Sequence, residues 1–237
     1  MMVQDAQDRS VQGAVYRTLK EGIMTLRLAP GTVMSTKEMA ERLHVSRTPV
    51  REAFIRLQSE ELVDIIPQRE TVVSRINLLR VEQERFVRES LELPVIDLFL
   101  QNCRPEHFAQ LRESIEEQKR CYTEKRYADF VGADNRMHQL FFDVAGQHLA
   151  WELIMNSNGH YNRIRVLTVQ VEDTIVSTIR QHCQMVDLME QGQTEAVRRE
   201  MNRHVKRINV EKANLVQRYP DYFKNDNEPQ GIRIGSL

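Results

Sequence analysis

The chain has 237 residues, 41% of them hydrophobic, and 33 Lys and Arg stand against 34 Asp and Glu for a formal net charge of −1. That length suits about two domains with ordinary cores, and no apolar run approaches the ~20 residues of a membrane span. The N-terminal MMVQDAQDRS has no apolar leader, and Cys103, Cys121 and Cys183 form neither a disulfide framework nor a CxxC pair, so a cytoplasmic protein without a membrane partner is expected.

In chain order, residues 10–28 read as an amphipathic helix with Val15, Leu19, Ile23 and Leu26 inward, ended by Pro30-Gly31. Ser35 to Leu43 reads as a second, shorter helix with Met39 and Leu43 as its apolar positions. A third begins at Ser46, whose hydroxyl suits an N-cap, with Pro49 in its first turn and Val50, Ala53, Phe54 and Leu57 on one face. Arg47, Thr48 and Arg51 occupy the opposite side. Two forked cations at a helix N-terminus match guanine edges and phosphates. His44-Val45-Ser46 gives the tight spacing of a helix-turn-helix. The β-branched runs Leu62–Ile66 and Thr71–Ile76 flank Pro67-Gln68-Arg69-Glu70, a hairpin signal that predicts a wing.

Total charge does not advertise a nucleic-acid binder. Residues 1–75 carry 11 basic against 10 acidic side chains, whereas Ser46–Leu57 alone carries three arginines against one glutamate. Binding to double-stranded DNA would therefore rest on local placement and be salt-sensitive.

Leu28-Ala29-Pro30-Gly31, Met39-Ala40-Glu41-Arg42-Leu43, the VSRTPVREA run and Glu60-Glu61-Leu62-Val63 together resemble the N-terminal domain of the GntR family of bacterial transcription regulators. The resemblance covers roughly Ser10 to Ile76. Two positions depart from it: Glu61 stands where the family commonly has glycine before the first wing strand, and Arg69-Glu70 stand where it commonly has a wing-tip glycine. The expected DNA contacts are Ser46, Arg47, Thr48 and Arg51 at the recognition helix, Lys37 on the preceding helix and Arg69 on the wing.

Beyond Ile76 no strand pattern returns. Residues 78–218 read as about six helices broken at Asn102–Pro105, Gly146-Gln147 and Gly192-Gln193. The expected fold is mainly α, a winged helix-turn-helix (1–76) followed by an all-α antiparallel bundle (77–218) and a loose polar tail (219–237).

Polar residues interrupt the apolar stripes of this bundle. Phe130, Asp134, His138, Phe141 and Ala145 follow helical steps of 4, 4, 3 and 4. A second stripe runs Ile175, Ile179, His182, Val186, Met189, and a third runs Val197, Met201, His204, Ile208. His182 lies 10 residues before Gly192 and His204 lies 12 after it, so the two face each other at nearly one level across an antiparallel turn. One histidine on an apolar face is an ordinary hydrogen-bonded core residue. Four in-phase polar residues on three helices instead point to a cage for a divalent cation, zinc first, with nickel or manganese as alternatives. His44, His107, His148 and His160 show no such convergence.

The Asp134-x-x-x-His138 pair followed by Ala145-Gly146, with His182 and His204 beyond, resembles the FCD effector domain of FadR-type GntR regulators. The resemblance implies that Asp134, His138, His182 and His204 bind a divalent metal, that a pocket beside them takes a small organic or sugar acid, and that the protein is a homodimer. Arg88, in phase with Leu91, Val95 and Leu98, points inward and needs an anion, either a ligand carboxylate or an acidic residue of the bundle. Arg163, Arg165, Asn158 and Asn162 are further candidates for the effector pocket. A metal-containing, ligand-responsive regulator is thus expected. The alternative is a metal-dependent enzyme using the same three-histidine, one-aspartate site.

Overall fold

The computed structural model describes residues 10–67, 69–170, 172–206 and 208–224. Helix α1 spans Val11–Met24, and the Ser10 hydroxyl starts it by accepting from Gly13 N at 3.1 Å. Val15, Leu19 and Ile23 are buried as expected. Leu26 is not on the helical stripe; it lies past the helix end in the left-handed region at φ 61° and is half-buried. Helix α2 (Thr36–Arg42) starts where Ser35 accepts from Glu38 N at 3.0 Å. His44, at φ 54°, turns the chain into α3 (Arg47–Ser59).

Ser46 takes the N-cap position of α3, but its hydroxyl makes no capping bond. Pro49 occupies the third helical position, so the N–H that such a hydroxyl commonly bonds does not exist. The buried face of α3 is Val50, Ala53, Phe54 and Leu57.

The wing is the hairpin β2 (Val63–Ile66) and β3 (Glu70–Val73), with Val63 opposite Val73 and Ile66 opposite Glu70. A two-residue strand that the sequence pattern does not announce, β1 (Val33–Met34), pairs antiparallel with β3 and gives the order β1-β3-β2. Val15, Leu19, Ile23, Met34, Phe54, Leu57, Leu62 and Val73 form the core of this unit.

Among the described residues the second unit carries eight helical segments, the last two lying on either side of residue 207, which is outside the described residues. They are α4 (Leu78–Asn102), α5 (Pro105–Thr123), α6 (Tyr127–Val144), α7 (His148–Asn156), α8 (Gly159–Thr168), α9 (Glu172–Glu190), α10 (Thr194–Lys206) and α11 (Ile208–Arg218). The three expected breaks are present, two of them at Gly146 and Gly192, both at φ 68°. A further break, around Lys125 at φ 57°, separates α5 from α6. Phe99, Leu111, Phe130, Phe141, Val186, Val197 and Met201 fill the bundle.

A smaller cluster of Ile76, Val81, Tyr161, Ile164, Leu167, Leu215 and Phe223 joins the two units. It corrects the expectation of a loose tail from 219. Pro220–Tyr222 form a 3₁₀ turn, Phe223 is buried, and its backbone bridges Ile76 in parallel. An aromatic side chain of that size gains ~2 kcal/mol or more from burial, enough to hold a short segment in place. The rest of the tail, 225–237, lies outside the described residues.

Candidate metal centre and nucleic-acid interface

Helix α6 presents Asp134 and His138 one turn apart, α9 presents His182 and α10 presents His204. Asp134, His138 and His182 are 2%, 0% and 0% exposed, so this is an interior constellation. One ligand atom from each of the four residues lies within 4.8 Å of all the others. His182 Nε2 is 3.4 Å from His204 Nε2 and 3.5 Å from Asp134 Oδ1, and His138 Nε2 is 3.8 Å from Asp134 Oδ2. A tetrahedral ion with bonds of ~2.0–2.1 Å has donor–donor edges of ~3.3–3.4 Å, close to the shorter of these separations, within a set spread over up to 4.8 Å. Both ring nitrogens of His138 are buried with no hydrogen-bond partner among the described residues.

The far side of each ring faces a side-chain oxygen. Gln118 Oε1 lies 2.7 Å from His182 Nδ1, Glu92 Oε1 2.9 Å from His138 Nδ1, and Gln181 Oε1 3.4 Å from His204 Nδ1. For His182 and His204 the oxygen bonded at Nδ1 keeps the proton there and leaves the Nε2 lone pair toward the centre. Burial pushes the His182 imidazolium down to about 4, and burial with the neighbouring imidazoles holds His204 well below its ordinary value, so both rings are neutral at pH 7. Neutral imidazole is the ligand form.

Asp134 is buried, which alone would raise its pKa, but Arg165, then His138, His182 and Arg88, hold the carboxyl far below the ordinary range. Arg165 donates to Asp134 Oδ2 and also to Asn135 Oδ1 at 2.6 Å. Arg88 donates from Nε to Glu92 Oε1 at 2.7 Å, the acidic-partner arrangement of the two expected for it, and its NH2 stands 3.9 Å from Asp134 Oδ2. Glu92 is also buried, yet Arg88 and His138 keep its carboxyl down at about 2. Two guanidiniums and two carboxylates thus balance around the cage.

Glu92, Gln118 and Gln181 are the residues that sequence reasoning missed as cage partners. Gln118 had a signal, since it is a polar interruption of the α5 stripe Leu111, Ile115, Gln118, Cys121. Glu92 had one as well, one turn from inward Arg88.

The other effector candidates separate. Asn158 is buried and donates to Met155 Sδ at 3.5 Å. Asn162 turns away from the cage and donates to Met24 O of α1 at 3.3 Å. Arg163 does likewise, donating to Ser74 O at 2.5 Å at the end of β3. His160 is buried at the same joint, where its Nδ1 accepts from Asn77 N at 3.1 Å.

On the other unit, Ser46, Arg47, Thr48 and Arg51 are all exposed on α3, opposite its buried face. Lys37 is exposed on α2, and Arg69 is exposed at the tip of the β2–β3 hairpin. Glu61 adopts the left-handed conformation at φ 59°, the backbone state for which glycine is the usual residue.

A helix-turn-helix beside a wing, joined to a helical bundle with an internal histidine–aspartate cluster, is the architecture of a DNA-binding regulator with a separate helical domain. Residues 11–73 match the bacterial regulatory proteins of the gntR family and residues 85–207 match the FCD domain. The chain belongs to the GntR family, with an FCD domain as its second half, and is a DNA-binding transcription regulator rather than an enzyme. It is 31% identical over 216 residues to the HTH-type transcriptional repressor RspR of Escherichia coli (strain K12), covering 91% of this chain and 95% of that protein. A regulator in an unstable DNA locus of Streptomyces ambofaciens is 30% identical, with 92% of each chain covered. Among solved structures, E. coli McbR/YncC superposes with a TM-score of 0.70 at 21% identity, over 89% of this chain and 99% of that one. A GntR-type regulator from Rhodococcus sp. RHA1 gives 0.69 at 18% identity, over 88% and 98%. Both likenesses concern the fold alone.

Proposed function

We propose that residues 77–218 form a sensor in which Asp134, His138, His182 and His204 hold a divalent cation, zinc in first place, and take a small carboxylate beside it, while residues 1–76 read the operator. The observation that carries this reading is the convergence of three imidazole Nε2 atoms and one carboxylate in the bundle interior, with each Nδ1 turned outward onto a side-chain oxygen.

Charge supports the acid. Arg88 and Arg165 offset Asp134 and Glu92, so a bound divalent cation leaves the cage with two uncompensated positive charges. Buried charge of that size calls for an anion. The cation would supply a fixed positive point for one ligand oxygen, and Arg88 and Arg165 would orient the rest. In the winged unit Arg47, Thr48 and Arg51 would reach the major groove, Ser46 and Lys37 the phosphates, and Arg69 the backbone from the wing. A homodimer places two such helices on a two-fold operator, in the cytoplasm.

The test is metal analysis of protein purified without an affinity tag. One bound ion per chain is expected in the wild type and well under half of that in His182→Ala, with the variant destabilised by about 1–3 kcal/mol through the lost packing and the stranded Gln118 amide. Unchanged loading in His182→Ala would overturn the cage. A thermal-shift panel of carboxylates on the loaded protein identifies the acid, because a ligand that prefers the folded state raises its stability by mass action.

A further inference from the structure

Helix α8 touches both functional units within one turn. Arg165 donates to Asp134 in the cage. Two residues earlier Arg163, 0% exposed, donates to Ser74 O at 2.5 Å and to Ser74 Oγ at 3.2 Å, where β3 leaves the wing. Ser74 is itself tied into the winged unit, since its N–H donates to Leu62 O at 3.0 Å and its hydroxyl to Glu61 O at 2.6 Å. Asn162 reaches Met24 O at the end of α1.

The first turn of α8 lies hard against the same unit. A Cβ at Gly159 would stand 2.9 Å from Leu62 Cδ2, so any larger residue there requires the Leu62 side chain to move. Its free N-terminal amides are taken by Glu84 of α4, which accepts from His160 N at 2.9 Å and Tyr161 N at 2.7 Å. A ten-residue helix with its ladder intact neither stretches nor bends cheaply. Displacement at one residue is displacement of all.

We propose that α8 is the coupling element between cage and wing, with Arg165 as the residue that responds to the charge of the cage and Arg163 as the residue that carries the response to Ser74. The inference rests on the cation-binding reading above. Without a cation, the Asp134 carboxylate holds Arg165. A divalent cation on Asp134 takes up the carboxylate's charge and sets a like charge beside the guanidinium, so the pull on Arg165 is lost. Arg163 lies ~3 Å from Arg165 along the same helix axis and must follow. Its two donors on Ser74 then loosen, and the wing gains freedom relative to the bundle. An effector anion lying between cation and Arg165 would reverse the push. The two ligands would thus bias one two-state joint in opposite directions.

Hydrogen–deuterium exchange on the full chain, with zinc chloride against chelator, tests this. In the wild type zinc should slow exchange over 134–138 and 182–186 and quicken it over 74–76 by about threefold or more. In Arg163→Met the cage segments should still respond and 74–76 should not. Arg163→Lys keeps the charge but loses the forked contact with Ser74, and carries the same expectation should the methionine variant fail to fold. A cage response without one at 74–76 in the wild type overturns the coupling and leaves the cation reading standing. No response in the cage overturns both. A response at 74–76 that persists in the Arg163 variants overturns this route, because the signal then travels through α4.

Discussion

A buried histidine becomes a ligand only when its lone pair faces the centre, and in this bundle glutamines do much of the steering. Gln118 is fully buried on α5, accepts from His182 Nδ1 and spends its amide on Met137 Sδ at 3.6 Å. It touches no ligand atom of the cage. Gln118→Leu keeps the volume and deletes the acceptor, so His182 is free to place its proton on Nε2. Loss of such a partner typically lowers metal affinity by about 10–100-fold, and that drop is expected here in a competition titration against a chromophoric zinc chelator. The thermal midpoint of the chelated protein should fall only by the ~1–3 kcal/mol of one stranded N–H. Wild-type zinc affinity in Gln118→Leu would show that ring tautomer is set elsewhere.

Among the elements, α8 contacts both units, and its placement depends on one missing side chain. Gly159→Ala drives a Cβ to 2.9 Å from Leu62, which must then move within the wing core. A destabilisation of about 1–3 kcal/mol is expected. Gly132→Ala in the middle of α6 is the control. Its Cβ would meet only the end of the Arg136 side chain at 3.6 Å, and removing a helical glycine gains up to ~1 kcal/mol. Chemical denaturation of the two variants should give shifts of opposite sign, and a neutral Gly159→Ala would mean that the joint is loosely packed. This element also marks where the sequence stopped being legible. The recognition helix and the stripes carrying Asp134, His138, His182 and His204 could be read because burial on one helix face repeats every three or four residues. The contacts of Arg163 cross 89 residues to Ser74 and leave no period at all. Nothing in the sequence pattern therefore announced that Arg163 and Asn162 bond to Ser74 and Met24 in the other unit. Strand β1 escaped because two residues cannot display an alternation.

The molecule as a whole carries a net charge of −1, so long-range attraction to DNA cannot supply its affinity. On the proposed reading, binding then rests on the cations that α2, α3 and the wing expose. Arg47 and Arg51 are exposed and no core residue depends on them, which makes Arg47→Ala/Arg51→Ala a clean removal of binding without loss of fold. Each bidentate base contact is worth about 1–3 kcal/mol of discrimination. The double variant should therefore lose at least ~30-fold in affinity for the protein's own upstream region and approach its affinity for scrambled DNA. Arg69→Ala, at the wing tip, should behave differently, weakening both DNAs alike and reducing the slope of log affinity against log salt by about 1. Fluorescence anisotropy across a salt series separates the two outcomes. If the double variant keeps the wild-type ratio of specific to scrambled binding, α3 is not the reading element, and the exposed arginines serve only the phosphates.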